Sequence, residues 1–347
     1  MPWRGFEALP PYFGGKRRLA PLILREISQV YDWKDWNHLG LCDPFLGGGA
    51  ISLYAKAQGF RVTCGDVAER CALIGRAVIE NNSVRLTDAD LDRLFVEAPA
   101  EAHEQRDETL PLFSTFRSDK AAFLNNAFTI ANAVEEPTKR ALLRLLLLKY
   151  IFWLRPHSKF SSPGAFDRPF AEGRLDDIKA TYKHAIAANA APALHGLRRM
   201  QTYINHAVMQ GAQPCRALKA DAAETIRATQ DAEVLYLDPP YSGTLSYEKE
   251  YRMLDRILGD GDLETSGFSA PDGLRLLGEL LTECDAFPLW VISYGNQVSG
   301  LDEVVGIVQR HREAARTIEI QYRHLEAVAS AEKSAANREF IILAGKD

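Results

Sequence analysis

The apolar run Val234–Leu237 ends on Asp238-Pro239-Pro240-Tyr241, and this junction constrains the chain more than any other. Four apolar residues closed off by prolines read as a short strand buried on both faces, as in a parallel sheet. Neither proline can donate to a ladder and each fixes its own φ, so the strand stops and the chain turns sharply. Asp238 and Tyr241 are then held at the carboxyl edge of the sheet, where α/β proteins bind ligands. A carboxylate, a carbonyl preceding a proline and an aromatic face together suit a flat ring that bears an amino group. A turn that merely ends a strand is the plainer alternative. On average residue usage the tetrapeptide arises by chance in roughly one chain of this length in several hundred. The strand before it makes it rarer still.

The same punctuation recurs upstream. Leu39–Cys42 is strand-like, Asp43-Pro44-Phe45 stops it, and Gly47-Gly48-Gly49 opens a helix expected from about Ala50 to Gln58. This is the strand–loop–helix entry of a doubly wound α/β domain, with glycines where an adenosine cofactor packs. The spacing matches neither the dinucleotide nor the phosphate-loop pattern, which points to a small uncharged cofactor rather than a phosphate. Phe60–Asp66 is a second short strand ending in an acid, 17 to 19 residues past Gly47–Gly49. An acid there either bonds ribose hydroxyls or caps a helix starting near Ala68. Nearer the N-terminus, Tyr12-Phe13-Gly14-Gly15-Lys16 precedes a helical pattern over Arg17–Val30, with Leu19, Leu22, Ile23 and Ile27 on one face. Adjacent glycines let backbone approach a ligand, Tyr12 offers a stacking face, and Lys16 can reach an acid; a simple turn reads the same way.

At 347 residues the chain holds one large core and a second, smaller domain. Its five cysteines are scattered, with no C-x-x-C pair and no histidine at zinc-ligand spacing, so buried free thiols, no metal and a reducing cytoplasm are expected. The N-terminus lacks the basic and apolar regions of a signal peptide. The longest apolar run, Leu142–Leu154, contains Arg144 and Lys149 and is too short for a bilayer, so a buried helix and no membrane are expected. Net charge is −5, unevenly spread. Between Lys139 and Lys219 there are 14 Lys plus Arg against 4 Asp plus Glu, a net +10 that leaves −15 on the rest. Such asymmetry suggests a basic face for a polyanion, with a solvated charged surface as the alternative.

Within that basic stretch, Lys149–Phe160 and Ser161–Phe170 alternate basic residues with aromatics, Pro and Gly. Tyr150, Phe152 and Trp153 also suit the end of a core helix. From Arg155 to Arg174 the pattern is exposed, and Arg155, Lys159, Arg168 and Arg174 are the candidate phosphate contacts. Asp176–Met209 reads as two helices broken near Pro192, with Arg198-Arg199 on the second. Downstream, a helix is expected near Ala223, another over Pro271–Glu283, and a buried strand over Phe287–Tyr294. Two strand candidates follow, Glu319–Arg323 and Glu339–Leu343, joined by a mobile polar stretch at Ala327–Asn337. Strands and helices alternate in both halves, so the core is α/β.

In order, these pieces resemble the Dam-type, or D12 class, of DNA adenine-N6 methyltransferases: Tyr12–Lys16, then Asp43–Gly49, then Asp238–Tyr241, then Asn337-Arg-Glu-Phe-Ile-Ile-Leu343. The resemblance implies an α/β, Rossmann-like, S-adenosylmethionine-dependent core over residues 1–96 and 213–347, with a mostly helical target-recognition insertion over 97–212. It implies that S-adenosylmethionine lies over Gly47 and Gly49, beside Asp43, Pro44 and Phe45. Tyr12, Phe13, Gly14, Gly15 and Lys16 would cover it, Asp66 would hold its ribose, and Asp221 would stand near its adenine. The family usually has an aromatic after that last acid, where this chain has Ala222. Asp238, Pro239, Pro240 and Tyr241 would orient a flipped adenine of double-stranded DNA, and a cognate restriction endonuclease is a possible partner. Phe166-Asp-Arg-Pro-Phe170 matches the family's Phe-Asn-x-Pro segment only loosely, so target sequence does not carry over. An RNA adenine methyltransferase and a catalytically silent DNA-binding module are the competing readings.

Overall fold

The computed structural model describes residues 3–99, 118–154, 183–241, 247–264, 266–270, 272–295, 301–313, 315–321 and 338–346. In chain order the elements begin with α1 (Ala20–Ile27), β1 (Gly40–Asp43), α2 (Ala50–Ala57) and β2 (Arg61–Asp66). Helices follow: α3 (Glu69–Ile74), α4 (Asp88–Arg93), α5 (Ser118–Asn132), α6 (Pro137–Leu154), α7 (Lys183–Ala190) and α8 (Ala193–Ala207). Then come β3 (Arg216–Lys219), α9 (Ala222–Arg227), β4 (Val234–Leu237) and α10 (Tyr247–Leu258). The chain closes with α11 (Gly273–Leu281), β5 (Leu289–Gly295), α12 (Leu301–Gln309), β6 (Ala315–Gln321) and β7 (Arg338–Gly345).

These elements form two compact units. One comprises Gly14–Val67, Gly211–Glu248 and Glu264–Asp347; the other comprises Met1–Phe13, Ala68–Gln210 and Lys249–Leu263. Residues 1–13 and 68–96, which the sequence reading groups with the sheet, thus cluster with the helices.

The first unit is built on a seven-stranded sheet of order β3-β2-β1-β4-β5-β7-β6. The first five strands are parallel, and β7 runs antiparallel to both β5 and β6. Strand order reverses between β1 and β4, the switch point where open α/β sheets bind ligands beyond the carboxyl ends. All four residues of β4 are buried, as a central parallel strand requires. Leu235, Leu237, Trp290 and Ile292 share a core with Leu277 and Leu281 of α11 and Ile307 of α12. The Arg312 guanidinium lies 3.8 Å from the centre of the Trp290 ring and donates to the carbonyls of Phe287, Pro288 and Ala344. It pins the start of β5 to the end of β7. At Gly65 an added Cβ would come within 2.0 Å of Thr225 Oγ1, so the missing side chain lets α9 press against β2.

Most boundaries follow the sequence pattern. The first helix, Ala20–Ile27, is shorter than expected at both ends; Pro21 stands in its first turn, and Leu19, Ile23 and Ile27 keep the buried face. Strand β6 begins earlier than the sequence pattern indicates, at Ala315. The stretch Ala327–Asn337 lies outside the described residues. All five cysteines are buried free thiols.

In the helical unit, Leu142, Leu143 and Leu145–Leu148 of α6 are buried, and Lys149 reaches the carbonyls of Glu7 and Leu9 at 2.7 and 3.0 Å. A charged head satisfied by backbone oxygens explains how this lysine sits in an apolar run. Pro192 separates α7 from α8 and stands at the N-cap of the latter. Among the described residues no helix is long and apolar enough to cross a membrane. No group of His, Cys, Asp or Glu among them could hold a metal ion.

Candidate active site

Within the sheet unit, the carboxyl ends of β1 and β4 bring the two acid-Pro junctions to the switch point. After β1 the chain turns through Gly47 (φ 49°) and Gly49 (φ 73°), left-handed conformations that cost glycine least, and Gly49 becomes the N-cap of α2. The Gly47 N–H donates to Asp66 Oδ2 at 2.9 Å, which ties the Gly-rich turn to the end of β2. Asp66 therefore does not cap the following helix, whose N-cap is Ala68.

Asp43 is 1 % exposed. Its Oδ2 accepts from Ser52 Oγ at 2.6 Å, while Oδ1 has no hydrogen-bond partner among the described residues. Burial pushes this carboxyl up to about 7; Ser52 and the Phe45 N–H oppose the shift, and Asp238 and Asp66 add to it.

At the end of β4 four side chains converge. Lys16 Nζ lies 2.9 Å from Asp238 Oδ1, 3.3 Å from Glu339 Oε1 and 3.1 Å from the Tyr241 hydroxyl, and donates to the Gly14 carbonyl at 3.2 Å. The Tyr241 hydroxyl faces Glu339 Oε1 at 2.7 Å and Asp238 Oδ1 at 3.2 Å. Ser293 Oγ donates to the same Glu339 oxygen at 2.5 Å. Lys16 is 4 % exposed, Glu339 0 % and Asp238 19 %, so of these three charged groups only Asp238 is partly exposed. Its Oδ1 is held by Lys16 and Tyr241.

Burial opposes charge on Lys16, yet the Asp238 and Glu339 carboxylates outweigh it and hold the ammonium above its ordinary range. On Asp238 burial again acts first, upward; Lys16 pulls down, Glu339 pushes up, and the net is a raised carboxyl. Burial and the two carboxylates keep the Tyr241 hydroxyl protonated far past its ordinary range. The result is one fixed cation and one protonated phenol held against two carboxylates.

The Tyr241 ring is fixed as well. It lies against Tyr294, with ring centres 4.8 Å apart. A Cβ on Gly295 would come within 2.8 Å of the Tyr241 ring, so that glycine makes its room. Pro239 is buried and Pro240 half-buried beside it.

The remaining expected residues are placed as follows. Gly14, Gly15, Lys16, Asp43, Pro44, Phe45, Gly47, Gly49, Asp66, Asp221 and Asp238–Tyr241 belong to the sheet unit. Asp221 is the N-cap of α9, its Oδ1 accepting from the Glu224 N–H at 2.8 Å in a capping box. Tyr12 and Phe13 belong to the helical unit, where both pack on Tyr251, Tyr12 stacked at 5.3 Å between centres. Arg155, Lys159, Arg168 and Arg174 lie outside the described residues. Glu339 and Ser293 were not singled out by the sequence reading. The available signal is a glutamate directly before the apolar Phe340–Ala344 run of a strand pattern.

The mostly parallel α/β sheet thus places two acid-Pro loops at its switch point, where such folds bind ligands. A family model of the D12 class N6 adenine-specific DNA methyltransferases matches residues 12–187, about half of the chain, spanning Tyr12–Lys16 and Asp43–Gly49. The chain belongs to that family and is an enzyme that methylates adenine in DNA at N6. It is also similar to the type II methyltransferase M2.HphI of Haemophilus parahaemolyticus, at 23% identity over 339 residues that cover 96% of each chain.

Proposed function

We propose that the sheet unit carries the reaction, with Asp238 as the group that orients the target amine, and that the helical insertion carries target recognition. The observation that supports this most directly is that Lys16 and Tyr241 hold Oδ1 of Asp238, the partly exposed carboxylate of the cluster. The exocyclic amine of adenine is a poor nucleophile because its lone pair is delocalised into the ring. Asp238 Oδ2 and the Pro239 carbonyl accept its two protons as hydrogen bonds, which aim the nitrogen and favour the positive charge that grows on it. The raised basicity of Asp238 also suits it to take the proton that the methylated nitrogen sheds. Tyr241 stacks on the base once it leaves the duplex, offsetting part of an unstacking cost of a few kcal/mol.

The methyl donor is S-adenosylmethionine, which supplies an electrophilic methyl group on a sulfonium. The donor set on the sheet fits it. Gly47 and Gly49 keep the turn free of side chains, and Asp43 presents a buried carboxylate oxygen that lacks a partner among the described residues. Asp43, Pro44, Phe45, Gly47, Gly49, Asp66, Gly14, Gly15 and Lys16 are the proposed holding residues on this unit. Tyr12, Phe13 and Asp221 are carried over from the family pattern; Asp221 has a structural task as a cap in addition.

Arg155, Lys159, Arg168 and Arg174, with the exposed Arg198 and Arg199 of α8, are the proposed phosphate contacts on double-stranded DNA. By analogy with its type II relative, the enzyme protects a specific site against a cognate restriction endonuclease, in a cytoplasm that keeps its thiols reduced. The test is transfer of labelled methyl from S-adenosylmethionine to unmethylated duplex DNA and, in parallel, to structured RNA, followed by digestion to nucleosides. Label in N6-methyldeoxyadenosine is expected. Label confined to RNA would move the substrate, and no label in either would leave a silent binding module.

A further inference from the structure

Glu339 stands on a strand far in sequence from every expected site residue, yet its carboxylate is the hub of the cluster. Register sets it there: β7 lies antiparallel to β5, with Glu339 opposite Gly295 and Ile341 opposite Ser293. The missing side chain at Gly295 admits the Tyr241 ring beside Glu339. Glu339 Oε1 then meets the Tyr241 hydroxyl at 2.7 Å, Ser293 Oγ at 2.5 Å and Lys16 Nζ at 3.3 Å, with the residue wholly buried. Burying a carboxylate costs a great deal of solvation, and these three polar partners offset part of it. We propose that Glu339 is a positioning residue for methyl transfer, holding the Lys16 ammonium and the Tyr241 hydroxyl in the clamp that fixes Asp238 Oδ1 and leaves Oδ2 to the target amine.

The inference rests on the reading of Asp238 as the group that orients the amine. With Glu339 charged, Lys16 is shared between two carboxylates. Without it, the ammonium serves Asp238 alone and competes with the incoming amine for that carboxylate. The Tyr241 hydroxyl loses its acceptor at 2.7 Å, which loosens one restraint on the ring that should stack on the base. Ser293 supports the clamp from β5 by donating to Glu339.

Glu339 also acts on Asp238 through space, its charge pushing the Asp238 carboxyl upward. The other charged or titratable groups that face the cluster are Lys16 before α1, Asp43 at the end of β1, Tyr236 on β4, Tyr241, and Tyr247 at the start of α10. Glu339→Gln removes a negative charge while keeping a carbonyl oxygen for Ser293 and Tyr241. The sign follows: Asp238 becomes easier to ionise, so the acid limb of the transfer rate moves to lower pH.

The experiment compares wild type, Glu339→Gln, Glu339→Asp and Tyr241→Phe in single-turnover methyl transfer against pH, with donor affinity measured by calorimetry. In Glu339→Gln the transfer rate should fall at least tenfold, by more than any loss of donor affinity, and the acid limb should shift down. Glu339→Asp keeps the charge, so its acid limb should stay at the wild-type position although its rate falls. A carbon-13 titration of the Asp238 carboxyl gives a readout independent of turnover, and it too should move down in Glu339→Gln. Should Glu339→Gln fail to fold, Tyr241→Phe cuts one arm of the clamp without touching β7, and a wild-type rate in that variant would overturn the proposal. So would an unmoved Asp238 titration in folded Glu339→Gln. If wild type itself transfers no methyl to DNA, the functional reading fails, while the carbon-13 titration still decides the role of Glu339.

Discussion

Asp43 and Asp238 both end a parallel strand, both are raised by burial, and they differ in what compensates them. Asp238 has Lys16 at 2.9 Å; Asp43 has one serine hydroxyl and the Phe45 amide. An acid whose folded value, about 7, lies above its ordinary 3.8 holds a proton in the fold that the unfolded chain has lost between those limits. Stability contributed by this residue therefore falls as pH rises through that window and stays low above it. The cost at neutral pH and above is on the order of 4 kcal/mol. Asp43→Asn keeps an acceptor for Ser52 and removes the charge. It should raise the urea midpoint at about pH 8 and change it little near pH 4, where the aspartate is already neutral in the fold. Equal effects at both pH values would contradict this account of Asp43. A stabilised variant that also binds donor less tightly would show why the costly carboxyl is kept.

Among the elements, those punctuated by proline or glycine were legible before any coordinates. Strand β4 ends where Pro239 begins, α2 opens at Gly49, and α7 and α8 part at Pro192, because backbone restriction is written into single residues. The insertion of β7 between β5 and β6 was not legible, since register and strand order are decided by pairing between distant segments. That is why Asp238 and Tyr241 could be named from sequence and Glu339 could not. Its role exists only once Gly295 and Glu339 are opposite one another. Lys16 falls between the two cases. Its reach toward an acid was expected, but that it would hold two carboxylates of its own unit required the fold. Asp221 shows the converse, an acid marked for a ligand that the local sequence also makes a helix cap.

At the scale of the whole molecule, the uneven charge matters more than the net −5. A segment of net +10 within an acidic protein is suited to a phosphate backbone, and each phosphate it neutralises releases counterions. Replacing Arg155 and Lys159 by glutamine should weaken duplex binding and reduce the slope of log affinity against log salt by roughly 0.9 per lost contact. An unchanged slope would remove those two residues from the interface. The acidic remainder includes the carboxylates of the sheet unit, where methyl transfer is assigned, so binding and chemistry make opposite electrostatic demands on one chain.

The central claim is that Asp238 orients the adenine amine for attack while leaving the methyl donor to other residues. The most direct test is the single-turnover rate of methyl transfer in Asp238→Ala, measured with S-adenosylmethionine and duplex DNA saturating, alongside donor affinity by calorimetry. Transfer should be abolished with donor affinity nearly intact. A variant that still methylates deoxyadenosine at a rate close to wild type, or one that fails only because it no longer binds the donor, would contradict it.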